Sequence, residues 1–540
     1  MKRLSHCYAL LLLLLASTSL SAAPPKVNYF FPAGAQRGQT VTVTASGEFS
    51  TWPVQVWANQ PGIAAVAAAE KGKFKVTVAA DATPGVVWLR AYNEEGAAPQ
   101  RPFVVGTLPE VEETEPNDSP AKAQPVAGQV VVNGRLSNVD AFAVTLKQGQ
   151  TLVASLLGNQ VLGSPMDAVL QVCEIVQRRG KPEAFVLEQN HDAIGLDPQL
   201  AFVAPRDGNY IVRIFAYPSE PGASIGYAGG DNFLYRLTLT TGGYIDHALP
   251  LTIQRGQSRE VRLFGWNLPL EGIPFPVTPP GATVFSPQIG FHGDHAGVAS
   301  LTIVDQPSIV AATTTPAGAA QEITLPINIS GHLVSEKQID RFKFAAKKDV
   351  KLRIATSSRK PGFPMLTKLK LTDEVGKPLA SIESADAQRD AELLFTPPAD
   401  GNYVVSVADL FDRAGLRFVY SLSIAEPQPE IGLQLATDNY VLKAGQPLEI
   451  PVTIAAPLAH IVPPLNLSAI DLPAGVKCEL VSSPKAELGQ VLKLVLQATP
   501  GEVPPGAFPI RIRGTSGITT RGAFLPAGPA DTTVWITPVK

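Results

Sequence analysis

Hydrophobic and polar positions alternate with period two along most of the chain. Thr40–Thr44, Val54–Trp57, Lys73–Val78 and Val86–Ala91 alternate in this way, and they are rich in the β-branched and aromatic residues that suit a pleated, half-buried surface. The same pattern returns in Thr151–Leu156, Ala168–Val172, Tyr210–Ile214 and Tyr235–Leu239, and again in Leu448–Ile454, Leu492–Leu496, Phe508–Arg513 and Thr532–Ile536. Turn formers separate these runs, for example Asn190-His191-Asp192, Asp207-Gly208-Asn209 and Gly229-Gly230-Asp231-Asn232. No stretch of comparable length carries a helical period. The prediction is an all-β chain of tandem β-sandwich domains.

The alternating pattern also repeats on a larger scale. Gln36-Arg37-Gly38-Gln39, with Gly47 following, is echoed by Gln254-Arg255-Gly256-Gln257, with Gly265 following. Asp140-x-Phe142 returns as Asp340-x-Phe342, and Pro165-Met166 as Pro364-Met365. Phe202 followed by Asp207-Gly208-Asn209-Tyr210 returns as Phe395 followed by Asp400-Gly401-Asn402-Tyr403, and Tyr235-x-Leu237 as Tyr420-x-Leu422. The matches keep their order at offsets between 185 and 218 residues, which marks a duplicated pair of modules. We label them A (24–109), B (110–242), A′ (243–312) and B′ (313–426), with a fifth unit, C, over 427–540. Residues 110 to 124 read as an acidic, Pro-containing connector between A and B. The Asp-Gly-Asn turn should launch a strand, with its Tyr and the preceding Phe in the core.

With 540 residues the chain is too long for one core. Only 17% of residues are charged and the net charge is −3, so nothing recommends nucleic acid or an anionic membrane as a partner. Lys2-Arg3, the leucine-rich run Tyr8–Ala16 and the small residues Ser19–Ala23 have the order of a secretory signal over 1–23. The apolar run is too short to span a bilayer, and no sorting tail follows the final strand pattern. An exported protein is expected, placed in the periplasm, at the cell surface or outside the cell. Of the three cysteines, Cys7 falls in the signal, and Cys173 and Cys478 fall in different modules, so a disulfide is not favoured.

The densest group of hard oxygen donors is Glu113-Thr114-Glu115-Pro116-Asn117-Asp118, followed by Asn133-Gly134-Arg135-Leu136 and Asp140-Ala141-Phe142. Alternate residues of an extended segment project to one side, so Glu113, Glu115 and Asn117 could converge on one ion. Calcium takes six to eight oxygens; the alternative is a solvated acidic linker whose Asn-Asp begins a turn. Together with Asp207-Gly208-Asn209-Tyr210, these residues resemble the bacterial pre-peptidase C-terminal domain, a jelly-roll-like β-sandwich of secreted proteins. The resemblance covers about 113 to 241 and extends weakly to 313–426. A and A′ resemble the Ig-like modules that accompany such domains, and C resembles generic Ig-like domains. Related collagen-binding domains hold calcium through a Glu-x-Glu-x-Asn-Asp run. The resemblance therefore implies a calcium site at Glu113, Glu115, Asn117, Asp118 and Asp140. Ser137 departs from the pattern, standing where an acidic residue is expected. B′ lacks the run, so no ion is expected there.

No catalytic constellation emerges. His292-Gly293-Asp294-His295 lacks the spacing of a zinc protease motif, Gly514-Thr515-Ser516-Gly517 is not a nucleophile elbow, and His191, His247, His332 and His460 are scattered. The expectation is a non-catalytic, secreted binding or adhesion protein for extracellular polysaccharide, matrix protein or a cell-envelope component. Trp57, Trp88, Tyr217, Tyr227 and Trp266 are candidate contacts, although such rings more often pack inward. The alternatives are a peptidase- or hydrolase-associated accessory protein, or a cryptic hydrolase whose site is built from residues distant in sequence, and an envelope spacer.

Overall fold

The structure is a computed structural model that describes residues 23–218, 226–277, 288–289, 295–312, 319–359, 361–384, 389–427, 432–443, 445–455, 463–499, 506–517, 519–526 and 532–539. Residues 1–22, which include nearly all of the expected signal, and His292–Asp294 and His460 lie outside the described residues. Among the described residues, regular structure is all strand except the short helix Asn159–Leu162. The chain is all-β and builds several sandwich-like units, as the alternation requires.

Module A is one sheet bent back on itself rather than two separate sheets. Its strands run in the order Lys26–Phe31, Thr40–Glu48, Lys73–Val78, Ile63–Ala67, Gln55–Ala58, Gly85–Asn93, Arg101–Gly106 and Gly34–Gln36. The two halves are joined through the single pair Gln55–Val66. Val27, Val43, Phe74, Val76, Leu89 and Phe103 fill the core between them. The glycine shared by A and A′ has a steric reason. A Cβ on Gly47 would sit 1.9 Å from the Lys26 carbonyl oxygen, and one on Gly265 would sit 1.8 Å from that of Tyr244.

Module B is a sandwich of two five-stranded sheets. One runs Glu110–Glu112, Gln129–Arg135, Leu234–Thr240, Thr151–Leu157, Gln199–Val203; the other runs Gln124–Pro125, Val139–Leu146, Gly208–Tyr217, Asp167–Arg178, Lys181–Asn190. B′ repeats this arrangement strand for strand, and its first strand, Ser308–Val310, begins before the boundary expected at 313. Its first sheet is Ser308–Val310, Ile327–His332, Val419–Ala425, Leu352–Ser357, Glu392–Phe395, and its second is Gln321–Glu322, Asp340–Ala346, Gly401–Asp409, Thr367–Asp373, Pro378–Glu383. The duplicated motifs hold equivalent places. Tyr210 and Tyr403 are buried against Phe202 and Phe395, each pair 5.2 Å apart. Their hydroxyls donate to the carbonyls of Arg206 and Ala399 at 2.8 and 2.7 Å. Asp207 and Asp400 accept from the backbone N–H of Gln148 and Lys348, closing the turn before the strand.

The acidic segment after residue 109 is more than a connector. Glu110–Glu112 pairs in parallel with Gln129–Arg135 of the first sheet, and Gln124–Pro125 in parallel with Val139–Leu146 of the second. The segment therefore crosses the open edge of the sandwich as a strap between its two sheets.

The modules are docked through buried contacts. At the seam between A and B, Arg236 donates from Nη1 and Nη2 to the two Glu110 carboxylate oxygens, each at 2.7 Å, and from Nη1 to Asn133 Oδ1 at 2.8 Å. Gly34 makes room for it, because a Cβ there would lie 2.3 Å from Arg236 Nη1. At the equivalent seam between A′ and B′, Thr252, Ser308 and Ser330 replace the charges with hydroxyl contacts of 2.7 and 2.8 Å. Module C forms a four-stranded sheet and a larger sheet around a core that includes Leu433, Ile450, Leu467, Leu494 and Ile510, and it docks on A. Arg90 of A, 0% exposed, pairs with Asp438 of C beneath the Trp535 ring, which also packs on Trp57 at 5.6 Å.

A buried guanidinium stripped of its counter-charge is costly. Asp438→Ala should therefore lower stability by about 3–5 kcal/mol in urea unfolding followed by tryptophan fluorescence. Arg90→Met/Asp438→Leu should recover most of that loss, because neither charge then remains buried.

Candidate functional site

The strap places its acidic residues at the edge where the two sheets of B approach. Gly134 and Tyr235 are cross-strand neighbours, and a Cβ on Gly134 would come within 2.1 Å of the Tyr235 ring. The ring therefore lies flat over the glycine. Its hydroxyl reaches the second sheet, where it meets Asp140 Oδ2 at 2.7 Å, and it also meets Glu113 Oε2 at 2.7 Å. Glu113 Oε1 accepts from the Arg135 backbone N–H at 2.6 Å. Glu115 follows with its Oε2 accepting from the Asn117 N–H at 3.0 Å and its Oε1 from the Ser137 hydroxyl at 3.3 Å. Asn117 is fully buried and ties the strap to the second sheet through a bond from the Ala141 N–H to its carbonyl at 3.0 Å.

Glu113, Glu115, Asn117 and Asp140 are thus brought together. Asp118 is not: it turns outward to Lys122 Nζ at 3.1 Å. Ser137, the departure from the family pattern, takes a place beside Glu115 as a hydrogen-bond donor. The repeated Tyr-x-Leu motif marked Tyr235 as a landmark, but only the fold shows that it lies over Gly134 and that the phenol reaches the acids.

The cluster is short of one positive charge. A phenol has one proton to donate, yet two carboxylates stand at 2.7 Å from it. Asp140 is 0% exposed and its Oδ1 has no hydrogen-bond partner, and neither Asn117 Oδ1 nor Nδ2 has one. Burial, then the neighbouring Glu113 carboxylate and a hydrogen bond with it, push the Asp140 carboxyl up to about 9. At neutral pH it holds a proton that lets it donate within the cluster. Among the described residues, no three His, Cys, Asp or Glu side chains are drawn up as a ready-made metal cluster. The orphaned Asp140 Oδ1 and Asn117 Oδ1 are nonetheless hard oxygen donors of the kind calcium takes, so the residues fit such an ion in place of the proton.

B′ shows what the scaffold does without the acids. Ala311 occupies the Glu113 position, its N–H bonded to Ser330 as that of Glu113 is to Asn133. Tyr420 donates to Asp340 Oδ2 at 2.6 Å, and Gln338 supplies a second donor to Oδ1 at 2.8 Å. The single carboxylate is satisfied by protein alone.

The acid cluster adjoins an exposed aromatic surface. The segment after Gly226 packs over Leu136 and Ser137, with the Gly230 N–H donating to the Leu136 carbonyl at 2.9 Å. A Cβ on Gly229 would fall 2.1 Å from the Ser137 oxygen. This contact sets Tyr227 on Phe215 at 4.7 Å, while Tyr217 packs on the same ring at 5.9 Å. Phe215 is buried; the two tyrosines are 49% and 51% exposed. Asp167, paired in register with Tyr217, lies beside them. The other candidate aromatics are engaged internally or partly covered: Trp57 packs on Trp535, Trp266 packs on Tyr244 at 5.8 Å, and Trp88 is half-buried.

Of the residues set aside for catalysis, His247 and His332 meet edge to face at 6.3 Å, and the other described ones are dispersed. His191 pairs with the adjacent Asp192 at the surface, and His247 is buried beside Asp246. His295 accepts from the Thr107 hydroxyl through its carbonyl, and Ser516 is buried in a strand. Cys173 and Cys478 are both free thiols.

No family model matches the chain, and no curated protein matches it. Among solved structures it is similar to the pre-peptidase C-terminal domain of a Bacillus anthracis collagenase, at 19% identity over 21% of this chain and 99% of that one, with a TM-score of 0.17. It is similar also to a Bacteroides ovatus mixed-linkage glucan utilization locus protein, SGBP-B, solved with a mixed-linkage heptasaccharide (11% identity, 70% of this chain and 72% of that one, TM-score 0.14). A third is tripeptidyl peptidase 2 (12% identity, TM-score 0.15), matched over 94% of this chain but only 39% of its own length. Similarity at this level carries no conclusion about activity.

The raised carboxyl has a measurable consequence without any ion. Folded Asp140 keeps its proton where the unfolded chain has lost it, so the native state binds more protons and stability falls as pH rises from the ordinary carboxylate range toward about 9. Melting in chelator at pH 5 and pH 8 should show this fall. Asp140→Asn, neutral at every pH, should flatten it. Equal slopes in the two proteins would refute the assignment.

Proposed function

We propose that this chain is a non-catalytic, exported binding protein whose B module holds extracellular polysaccharide across the Tyr217–Tyr227 surface. One observation carries the reading: two half-exposed tyrosine rings seated on one buried phenylalanine. Aromatic rings fixed at the surface present large apolar faces at little entropic cost, with a hydroxyl for polar contact. The apolar faces of pyranose rings suit such a surface, and Asp167 and the Arg213–Gln171 pair, bonded at 3.0 Å, supply hydrogen-bonding groups along the same strands. The signal-like residues 1–23 support export. No described helix is long and apolar enough to cross a membrane.

In the same proposal, Glu113, Glu115, Asn117 and Asp140 hold a calcium ion, and Asp118 stays outside it. When bound, the ion supplies the positive charge that the carboxylates lack. The chain's own part is to hold four oxygen-bearing side chains together under Tyr235 and to link Glu115 through Ser137 to the segment that carries Tyr227. Binding requires Asp140 to give up its proton, so affinity rises with pH.

Calcium at 1 mM should raise the melting midpoint of the wild type and not that of Asp140→Asn, since a ligand that prefers the folded state stabilises it; no shift in the wild type would remove the ion from the account. In affinity electrophoresis through soluble glucans, xylans and mannans, at least one polymer should retard the protein. Tyr217→Ala and Tyr227→Ala should each weaken that binding about tenfold. Retardation by none of them, together with capture on a matrix-protein array, would favour adhesion to protein. Retention by neither would favour an envelope spacer.

A further inference from the structure

The two copies of the A–B seam differ in a way that opens a cavity in the second. In the first copy the Arg135 guanidinium lies over the Phe31 ring, 3.9 Å from its centroid, and the Arg135 backbone N–H donates to Glu113. Strand register places His332 where Arg135 stands, because Arg135 neighbours Leu234 and His332 neighbours Val419 across matching strand pairs. Leu249 stands where Phe31 does, each preceding a cis proline three residues before the equivalent parallel strand. Ala311 stands where Glu113 does. Three side chains are thus shortened at one place, and a cavity of about 670 Å³ lies there between A′ and B′.

We propose that this cavity binds a small one- or two-ring aromatic molecule carrying an N–H or O–H donor. Its volume falls in the range of small-molecule sites. One wall is Phe264, held flat by a parallel stack on buried His247 at 5.6 Å and 13°, and Leu249 and Leu416 extend the apolar lining. Among the polar groups of the lining, His332 keeps one acceptor free. His332 Nε2 donates to the Gly415 carbonyl at 3.0 Å, so the neutral ring keeps Nδ1 as an acceptor; burial holds this histidine below its ordinary range. Gln338 spends its amide N–H groups on the His332 carbonyl and Asp340. Arg262 turns Nη1 onto the carbonyls of Glu271 and Gly272 at 3.0 and 3.3 Å. A ligand that brings an N–H or O–H donor can pair with His332 Nδ1. The exposed side chains of Leu270 and Val334 border the entrance.

The test uses indole and 1-methylindole, which share the ring system but not the N–H, with the full chain. Saturation-transfer NMR should detect indole with a dissociation constant below about 1 mM, and 1-methylindole should bind at least about fivefold more weakly. Leu249→Phe/His332→Arg rebuilds the filled seam of the first copy from its own residues, and it should abolish binding of both while keeping the wild-type melting midpoint. His332→Leu keeps the apolar walls and should erase the preference for indole, which guards against a folding defect in the double variant. No transfer to indole at about 5 mM, well above the expected constant, would overturn the proposal. Unchanged binding in the double variant, or equal affinity for the two probes in the wild type, would do the same.

Discussion

One buried carboxylate sets the terms for module B. Asp140 sits under the Tyr235 phenol with Glu113 on the other side of the same hydroxyl, and one proton cannot serve both acids. The cluster must take up an additional proton or a cation, and it lies where the strap joins the two sheets of the sandwich. The charge balance of a few side chains is thereby coupled to the closure of the sandwich edge. Through Ser137 and Gly229 it is coupled as well to the segment that presents Tyr227. The aromatic surface and the acid cluster are neighbours by construction.

The duplicated module makes the role of individual residues plain, because the fold is held constant while the chemistry changes. Both copies keep the glycine that lets a tyrosine lie flat, the tyrosine, and the aspartate it reaches. They differ at the strap and the seam. The first copy concentrates charge there, with Arg236 gripped by Glu110 and the acids gathered under Tyr235. The second uses hydroxyls and an amide, which need no counter-ion and leave no carboxylate oxygen of Asp340 unpaired. Buried charges stabilise only when fully paired. The second copy avoids that requirement and has open space at its seam instead. Divergence has thus fallen on the surfaces between modules while the cores stayed alike.

Those surfaces also make the chain more than a string of beads. The A–B and A′–B′ seams are built from buried polar contacts, and C returns to dock on A through Arg90, Asp438 and Trp535. Apolar side chains also meet at these seams, Leu108 with Val131, Val153 and Tyr244, and Leu249 and Leu251 with Val419 and Phe363, which adds buried area to the polar contacts.

Much of the fold was legible in the residues. Period-two alternation is a local consequence of strand geometry, so it marked strands in A, B and C, and the ordered repeats marked A′ and B′ as copies before the identical strand order of B and B′ was seen. Landmark residues such as Tyr210 and Phe202 were correctly placed in the core. The acid run was recognised as a cluster, and Glu113, Glu115, Asn117 and Asp140 do converge. The sequence could not exclude Asp118, because whether a side chain in an extended strap faces inward depends on the sheet it lies against. It could not show that 110–125 is part of the sandwich, since parallel pairing joins segments with no local signal of each other. Nor could it find the Arg236–Glu110 grip, the closure of A on C, or the seating of Tyr217 and Tyr227 on Phe215. The first two join residues far apart in the chain, the third depends on how neighbouring strands and the returning segment pack, and none has a local signal in the sequence. The sequence by itself determined which segments are strands and which residues recur. Only the tertiary structure decided which of those residues meet, because burial and charge balance belong to the assembled sheets and not to any one strand.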